Sequence, residues 1–275
     1  MSAESGFLEV PGGRLYYEVE GSGHPLLLIH GGLGSLRMWD EQVAAFSEQY
    51  RVIRYDTRGY GRTETDDVPF SNRADAVAVL AHVGAAACHL IGQSRGGSIA
   101  LDLTLERPEL VTSLVSVAGG LGGYEPQLPE GYEKPPWEEM ERLYEAKQWD
   151  ELAELETRVW VDGWGNPADR VSPRLRHRVH DWILESYRAE TSEGQPQPLD
   201  PPATGRLDQV RVPVLVVLGT SDEPGAVLAS RRLAESVRGA RLEEFEGVAH
   251  MVHLEQPERF NRLVLDFLAE VGSTV

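Results

Sequence analysis

Six residues, Gly92-Gln93-Ser94-Arg95-Gly96-Gly97, constrain this chain more than any others. They follow the apolar run Cys88 to Ile91, which reads as a strand. They open a stretch through Glu106 with helical length and spacing. A Gly-x-Ser-x-Gly between a strand and a helix demands a turn too tight for side chains at the glycines. It leaves the serine exposed in a strained conformation. Only a sheet whose strands feed directly into helices has room for such a turn.

The rest of the chain repeats that alternation. Leu15 to Val19, Leu26 to Ile29, Arg51 to Tyr55, Val111 to Val117 and Val212 to Leu218 are further short apolar runs, and Leu242 to Phe245 is the last apolar stretch. Runs without polar alternation suit strands covered on both faces, as in a parallel sheet. Arg73 to His82 and Gly225 to Val237 have helical spacing, and another helix starts near Pro257. The pattern predicts an α/β fold with a doubly wound sheet. From about Gly122 to Pro202 it breaks, with no clear strand. Ten of the 17 prolines lie between Pro126 and Pro202, and five of the six tryptophans between Trp137 and Trp182. Helices are expected at Trp137 to Lys147, Trp149 to Trp160 and Pro173 to Arg188. The expected division is residues 1–121 and 203–275 as core, with 122–202 as a helical cap. Tryptophans concentrated in such an insert can line an apolar pocket. Leu33, Trp137, Trp160 and Trp164 are the candidate lining residues.

Charge and composition narrow the partners. With 26 Lys and Arg against 44 Asp and Glu, the net charge is −18. That argues against nucleic acid or an anionic membrane, which need a basic face. Cys88 is the one cysteine, so neither an intrachain disulfide nor a cysteine-based zinc site can form. The N-terminal residues lack the basic and apolar regions of a signal peptide, and the longest apolar run is far short of a membrane span. A cytoplasmic protein acting on a small molecule is the expectation, with no cofactor and no metal.

Serine at such a turn is a nucleophile only with a base nearby. His250, in Glu246-Gly247-Val248-Ala249-His250, follows the last apolar stretch and is the base candidate; His253 competes with it. A carboxylate must fix the imidazole tautomer. Asp222 follows the strongest strand, where a sheet delivers residues to its carboxyl edge, and Glu223 is the alternative. The order Ser94, Asp222, His250 suits a strand–turn–helix nucleophile. The Arg95 backbone N–H, at a helix start, is one candidate oxyanion donor. Another should come from His30-Gly31-Gly32-Leu33-Gly34-Ser35, with Gly32 the first choice and Leu33 the second.

Taken together, the sequence resembles an α/β-hydrolase-fold serine hydrolase of the esterase or lactonase kind. The matching pieces are His30-Gly31-Gly32, Asp56-Thr57-Arg58-Gly59-Tyr60-Gly61-Arg62-Thr63, the Gly92 to Gly97 turn, Gly219-Thr220-Ser221-Asp222 and Val248-Ala249-His250, with His253-Leu254-Glu255-Gln256-Pro257-Glu258 after it. The resemblance implies a mostly parallel eight-stranded sheet with a helical cap between strands six and seven. It also implies Ser94 as nucleophile, Asp222 as acid and His250 as base, acting on a carboxylic ester through an acyl-enzyme. Lactone or carbon–carbon bond hydrolysis on the same triad, or a small-molecule receptor, are the alternatives. Members often carry histidine before the serine and methionine after it. Here these are Gln93 and Arg95, and the Arg95 side chain is expected either to pair with a carboxylate or to recognise an anionic substrate group.

Overall fold

The central strands are apolar on both faces because helices cover both faces. The computed structural model describes residues 4–189 and 191–273. Its main strands are β1 (Glu4–Val10), β2 (Gly13–Gly21), β3 (His24–Ile29), β4 (Tyr50–Tyr55), β5 (Cys88–Gln93), β6 (Val111–Val117), β7 (Val214–Gly219) and β8 (Arg241–Phe245). They lie in the order β1-β2-β4-β3-β5-β6-β7-β8. The pairs β1–β2 and β2–β4 are antiparallel and the others along that path are parallel. A two-residue strand, Glu64–Thr65, adds to β2 as a ninth member. The expected eight-stranded, mostly parallel sheet is therefore present, with one short addition.

Alternate residues of each central strand serve opposite faces. Leu27, Leu90, Leu114 and Val216 join Val79, Ile99, Leu103 and Leu233 in one apolar cluster. Those helical residues come from α2 (Asn72–His82), α3 (Arg95–Glu106) and α7 (Pro224–Ser236). Leu26, Leu28, Ile91, Val115 and Val217 join Phe46, Phe260, Val264 and Phe267 on the other side. These come from α1 (Asp40–Phe46) and α8 (Pro257–Gly272). Every residue of β5 and β7 is buried, which is why they read as continuous apolar runs.

Between β6 and β7 the chain forms α4 (Trp137–Glu145), α5 (Trp149–Trp160) and α6 (Pro173–Arg188). Val161, Leu175, Val179 and Ile183 of this insert form one apolar cluster with Met38, Met251 and Leu254 of the sheet's own loops. Arg170 adds two hydrogen bonds to Glu255, at 2.6 and 2.9 Å. Near its end the insert supplies a strand after all: Gln195–Pro196 pairs with Pro69–Phe70. Two residues are too few to leave a periodic signature. Longer elements escaped the sequence pattern too. β1 is a half-exposed edge strand with weak apolar content, and α1 is only seven residues long.

Candidate active site

The carboxyl ends of β3, β5, β6, β7 and β8, neighbours in the sheet, deliver the candidate residues to one edge. Ser94 stands at the end of β5 with φ 53° and ψ −119°, a backbone region that costs a serine about 1–3 kcal/mol. The sheet holds it there, since its N–H donates to the Val117 carbonyl at 2.8 Å. The flanking glycines are required by space. A β-carbon on Gly92 would collide with the Gly96 carbonyl, and one on Gly96 with the Ile29 carbonyl. Cys88 is buried, and burial pushes its thiol up to about 12, so it offers no thiolate.

His250 and Asp222 meet below the insert. The His250 Nδ1–H donates to Asp222 Oδ2 at 2.7 Å, with both side chains buried. Asp222 Oδ1 accepts the Glu223 N–H at 2.7 Å. That leaves the His250 Nε2 lone pair open to take a proton. Glu223 is occupied elsewhere: its Oε2 caps α7 by accepting the Ala226 N–H at 3.1 Å. His253 lies fully buried against Trp39, ring centroids 4.6 Å apart, and neither ring nitrogen has a partner among the described residues. Burial pulls it down to about 3, with the nearby His250 and Arg178 adding to the shift. The His250 loop is pinned from two sides. Gln93 Nε2 donates to the His250 carbonyl at 3.3 Å, and Glu255 Oε1 accepts the Ala249 N–H at 3.0 Å. Glu255 is in turn held by Arg170 of the insert.

The His30 loop approaches from β3. His30 is buried and stays neutral: burial holds it down near about 3, and the Arg95 charge acts in the same direction. Its Nδ1–H donates to the Gly31 carbonyl at 2.6 Å, and its Nε2 accepts the Thr57 N–H at 3.0 Å. Gly32 is open towards the cavity side. A β-carbon there would meet only the Tyr60 hydroxyl, at 3.4 Å. Arg95 departs from the expectation that its side chain pairs with a carboxylate. It forms no ion pair with a described residue. Instead it donates to Thr57 Oγ1 at 2.7 Å and Asn72 Oδ1 at 3.3 Å, with its guanidinium carbon 4.9 Å from the Tyr60 ring centroid.

Two cavities flank this edge. One of about 240 Å³ is lined by Ser94, Arg95, His250, Leu121, Tyr124 and Trp160. The Trp160 ring lies 4.7 Å from that of His250. A second, of about 400 Å³, runs from Gly32 and Tyr60 to Trp149, Glu156, Ile183 and Tyr187 of the insert. There Tyr187 stacks on Trp149 and donates to Glu156 at 2.7 Å, while burial pushes the Glu156 carboxyl up to about 7. The other expected lining residues, Leu33, Trp137 and Trp164, are not among those lining these two cavities. Trp137, 39% exposed, leans on Trp160 at 5.8 Å. Trp164 donates to the Glu133 carbonyl at 2.9 Å. Leu33 packs into the cluster of Met38, Val179 and Leu254. Tyr60, Thr57 and Glu255 lie in motif segments whose spacing assigns them no role, and only tertiary contacts reveal one. Among the described residues no three His, Cys, Asp or Glu side chains converge as metal ligands. None of the described helices is long and apolar enough to cross a membrane.

Comparison with known proteins identifies the family. The alpha/beta hydrolase family matches residues 26–263. A 2-hydroxy-6-oxononadienedioate/2-hydroxy-6-oxononatrienedioate hydrolase of Burkholderia vietnamiensis is 30% identical over 275 residues, covering 93% of this chain and 91% of its own. The 3-oxoadipate enol-lactonase 2 of Acinetobacter baylyi is 27% identical over 250 residues, 87% of each chain. The crystal structure of the enol-lactonase from Burkholderia xenovorans LB400 is similar in fold, with a TM-score of 0.76 at 24% identity, over 96% of this chain and 100% of that one.

Proposed function

This chain belongs to the alpha/beta hydrolase family, and we propose that it is a serine hydrolase cleaving a carboxylic ester of a small molecule through an acyl-enzyme. One observation carries the reading: His250, joined at 2.7 Å to the buried Asp222, shares a cavity wall with a serine held at positive φ. In the proposed cycle Ser94 Oγ attacks the ester carbonyl carbon while His250 Nε2 accepts its proton. Asp222 steadies the imidazolium. The N–H groups of Gly32 and Arg95 bind the oxyanion. The C–O bond breaks as His250 returns the proton to the leaving alkoxide. Water, deprotonated by His250, then releases the acid and restores Ser94. The helices of the insert act as the cap, with Trp160 closing the acyl side.

The named activities of the relatives favour a second reading on the same groups, with a lactone or a vinylogous carbon–carbon bond as substrate. A panel of p-nitrophenyl esters of increasing chain length, beside lactones, separates the two. An ester yields acid and alcohol, and a lactone yields one hydroxy acid. A fluorophosphonate should label the wild type once, at Ser94, and Ser94→Ala should lose about 10^4-fold or more in kcat. Labelling at another residue, or undiminished turnover by the alanine variant, would remove the basis of the reading.

A further inference from the structure

Arg95 carries a full charge beside Ser94, yet the described side chains it hydrogen-bonds or stacks on are neutral. Its partners are the Thr57 hydroxyl, the Asn72 amide oxygen and the face of Tyr60. The hydrogen bonds beyond Thr57 explain where that charge is directed. The Thr57 hydroxyl accepts from Arg95 Nη1 at 2.7 Å, which leaves its own proton to donate. His30 Nε2 lies 3.1 Å away and must be an acceptor, because the Thr57 N–H donates to the same atom. An imidazole with an accepting Nε2 carries its proton on Nδ1, and that proton goes to the Gly31 carbonyl at 2.6 Å. The Gly31 carbonyl and the Gly32 N–H belong to one peptide unit. Because that unit is planar and trans, fixing the C=O direction fixes the N–H direction.

We propose that the Arg95 side chain is a positioning residue for the oxyanion hole, acting through Thr57 and His30 on the Gly31–Gly32 peptide. The inference rests on the serine-hydrolase reading above. The two oxyanion donors lie on different loops, one after β5 and one after β3. The relay joins them: it begins on the residue that supplies one donor and ends on the peptide that supplies the other. Every hydrogen bond in it points the same way, from guanidinium to hydroxyl to imidazole to carbonyl. Such a chain polarises cooperatively, drawing electron density from the Gly31–Gly32 amide and strengthening its N–H as a donor. Tyr60 covers the relay. Its ring lies against Arg95 and, edge to face at 5.3 Å, against His30, while its hydroxyl abuts Gly32.

The test uses Arg95→Met, Thr57→Val and their combination, with p-nitrophenyl acetate as substrate and a trifluoromethyl ketone as the tetrahedral mimic. Thr57→Val breaks the relay and keeps the charge, so it stands in if Arg95→Met does not fold. Each single change should lower kcat about 10- to 100-fold, as lost supporting hydrogen bonds do elsewhere, with KM little altered. Ketone affinity should fall by the same factor. The double variant should be no worse than the poorer single one, because both cut one chain. Arg95→Lys should regain part of the loss through a single ammonium donor. Wild-type kcat in a folded Arg95→Met, or additive losses with unchanged ketone affinity, would overturn the relay. So would a loss confined to esters bearing a carboxylate, which would make the guanidinium a substrate ligand. Failure of the wild type to take the fluorophosphonate at Ser94 would instead strike the hydrolase reading.

Discussion

Replacing Asp222 by asparagine tests the candidate triad with almost no change in shape. The outcome follows from which atoms the side chain must serve. Asp222 Oδ1 accepts the Glu223 N–H at 2.7 Å, and Oδ2 accepts the His250 Nδ1–H at 2.7 Å. An asparagine must keep its oxygen towards Glu223, since turning its amide there would set two donors face to face. Its NH₂ group then faces His250 Nδ1, which can receive that hydrogen bond only as the Nε2–H tautomer. That tautomer has no lone pair at Nε2 to accept the Ser94 proton. The expected loss in kcat is about 10^4-fold, or roughly 5.5 kcal/mol of barrier, with the melting temperature nearly unchanged. Steady-state hydrolysis of a short p-nitrophenyl ester measures it, with circular dichroism as the control for folding. Glu223→Gln is the companion. Its amide oxygen can still cap α7 by accepting the Ala226 N–H, so activity should stay within about threefold. A Asp222→Asn enzyme within tenfold of wild type, or a larger loss in Glu223→Gln, would refute the assignment of the carboxylate.

Three further outcomes are expected. His253→Phe removes two unpartnered buried nitrogens and keeps a ring between Trp39 and Phe260; because a histidine held near about 3 loses stability as pH falls from about 6.5, the variant's melting temperature should gain on wild type progressively below pH 6.5, with kcat retained. Glu156→Gln should act in the opposite direction. A carboxyl pushed up to about 7 by burial costs stability as pH rises from about 4.5 through 7, so thermal scans should show the variant ahead at pH 8, by on the order of 1 kcal/mol given its partial exposure, and level with wild type at pH 4. Trp160→Ala should shift acyl chain-length preference, at about 0.8 kcal/mol per CH₂ no longer buried, whereas Trp164→Ala, whose indole is bonded to the Glu133 carbonyl, should leave the chain-length profile of the p-nitrophenyl series unchanged.

Much of this architecture was legible in the sequence because its signals are local. A buried parallel strand such as β7 is apolar at nearly every position, and a strand-to-helix turn needs its glycines wherever it occurs. Strand β1 lacked that clarity because it is largely exposed and little apolar pattern is needed. The choice between His250 and His253 was not local. Both lie in one loop, three residues apart, and what separates them is a carboxylate 28 positions away for one and a tryptophan over 200 positions away for the other.

Arg95 shows most sharply what spacing omits. Read along the chain, an arginine after the serine suggests an ion pair or an anionic substrate, since those are the usual fates of a guanidinium near a site. Its actual partners come from β4's loop and the start of α2, elements that carry no charge at the points of contact. A charge with neutral partners is costly unless the groups around it are oriented to share it, and here the orientation runs through Thr57 and His30 to the peptide of Gly32. The His-Gly-Gly, Asp-Thr-Arg-Gly-Tyr and Gly-Gln-Ser-Arg segments, separate motifs in sequence, thus meet as one hydrogen-bonded unit. A substitution in any of them should therefore be judged by its effect on the other two before its own contacts are counted.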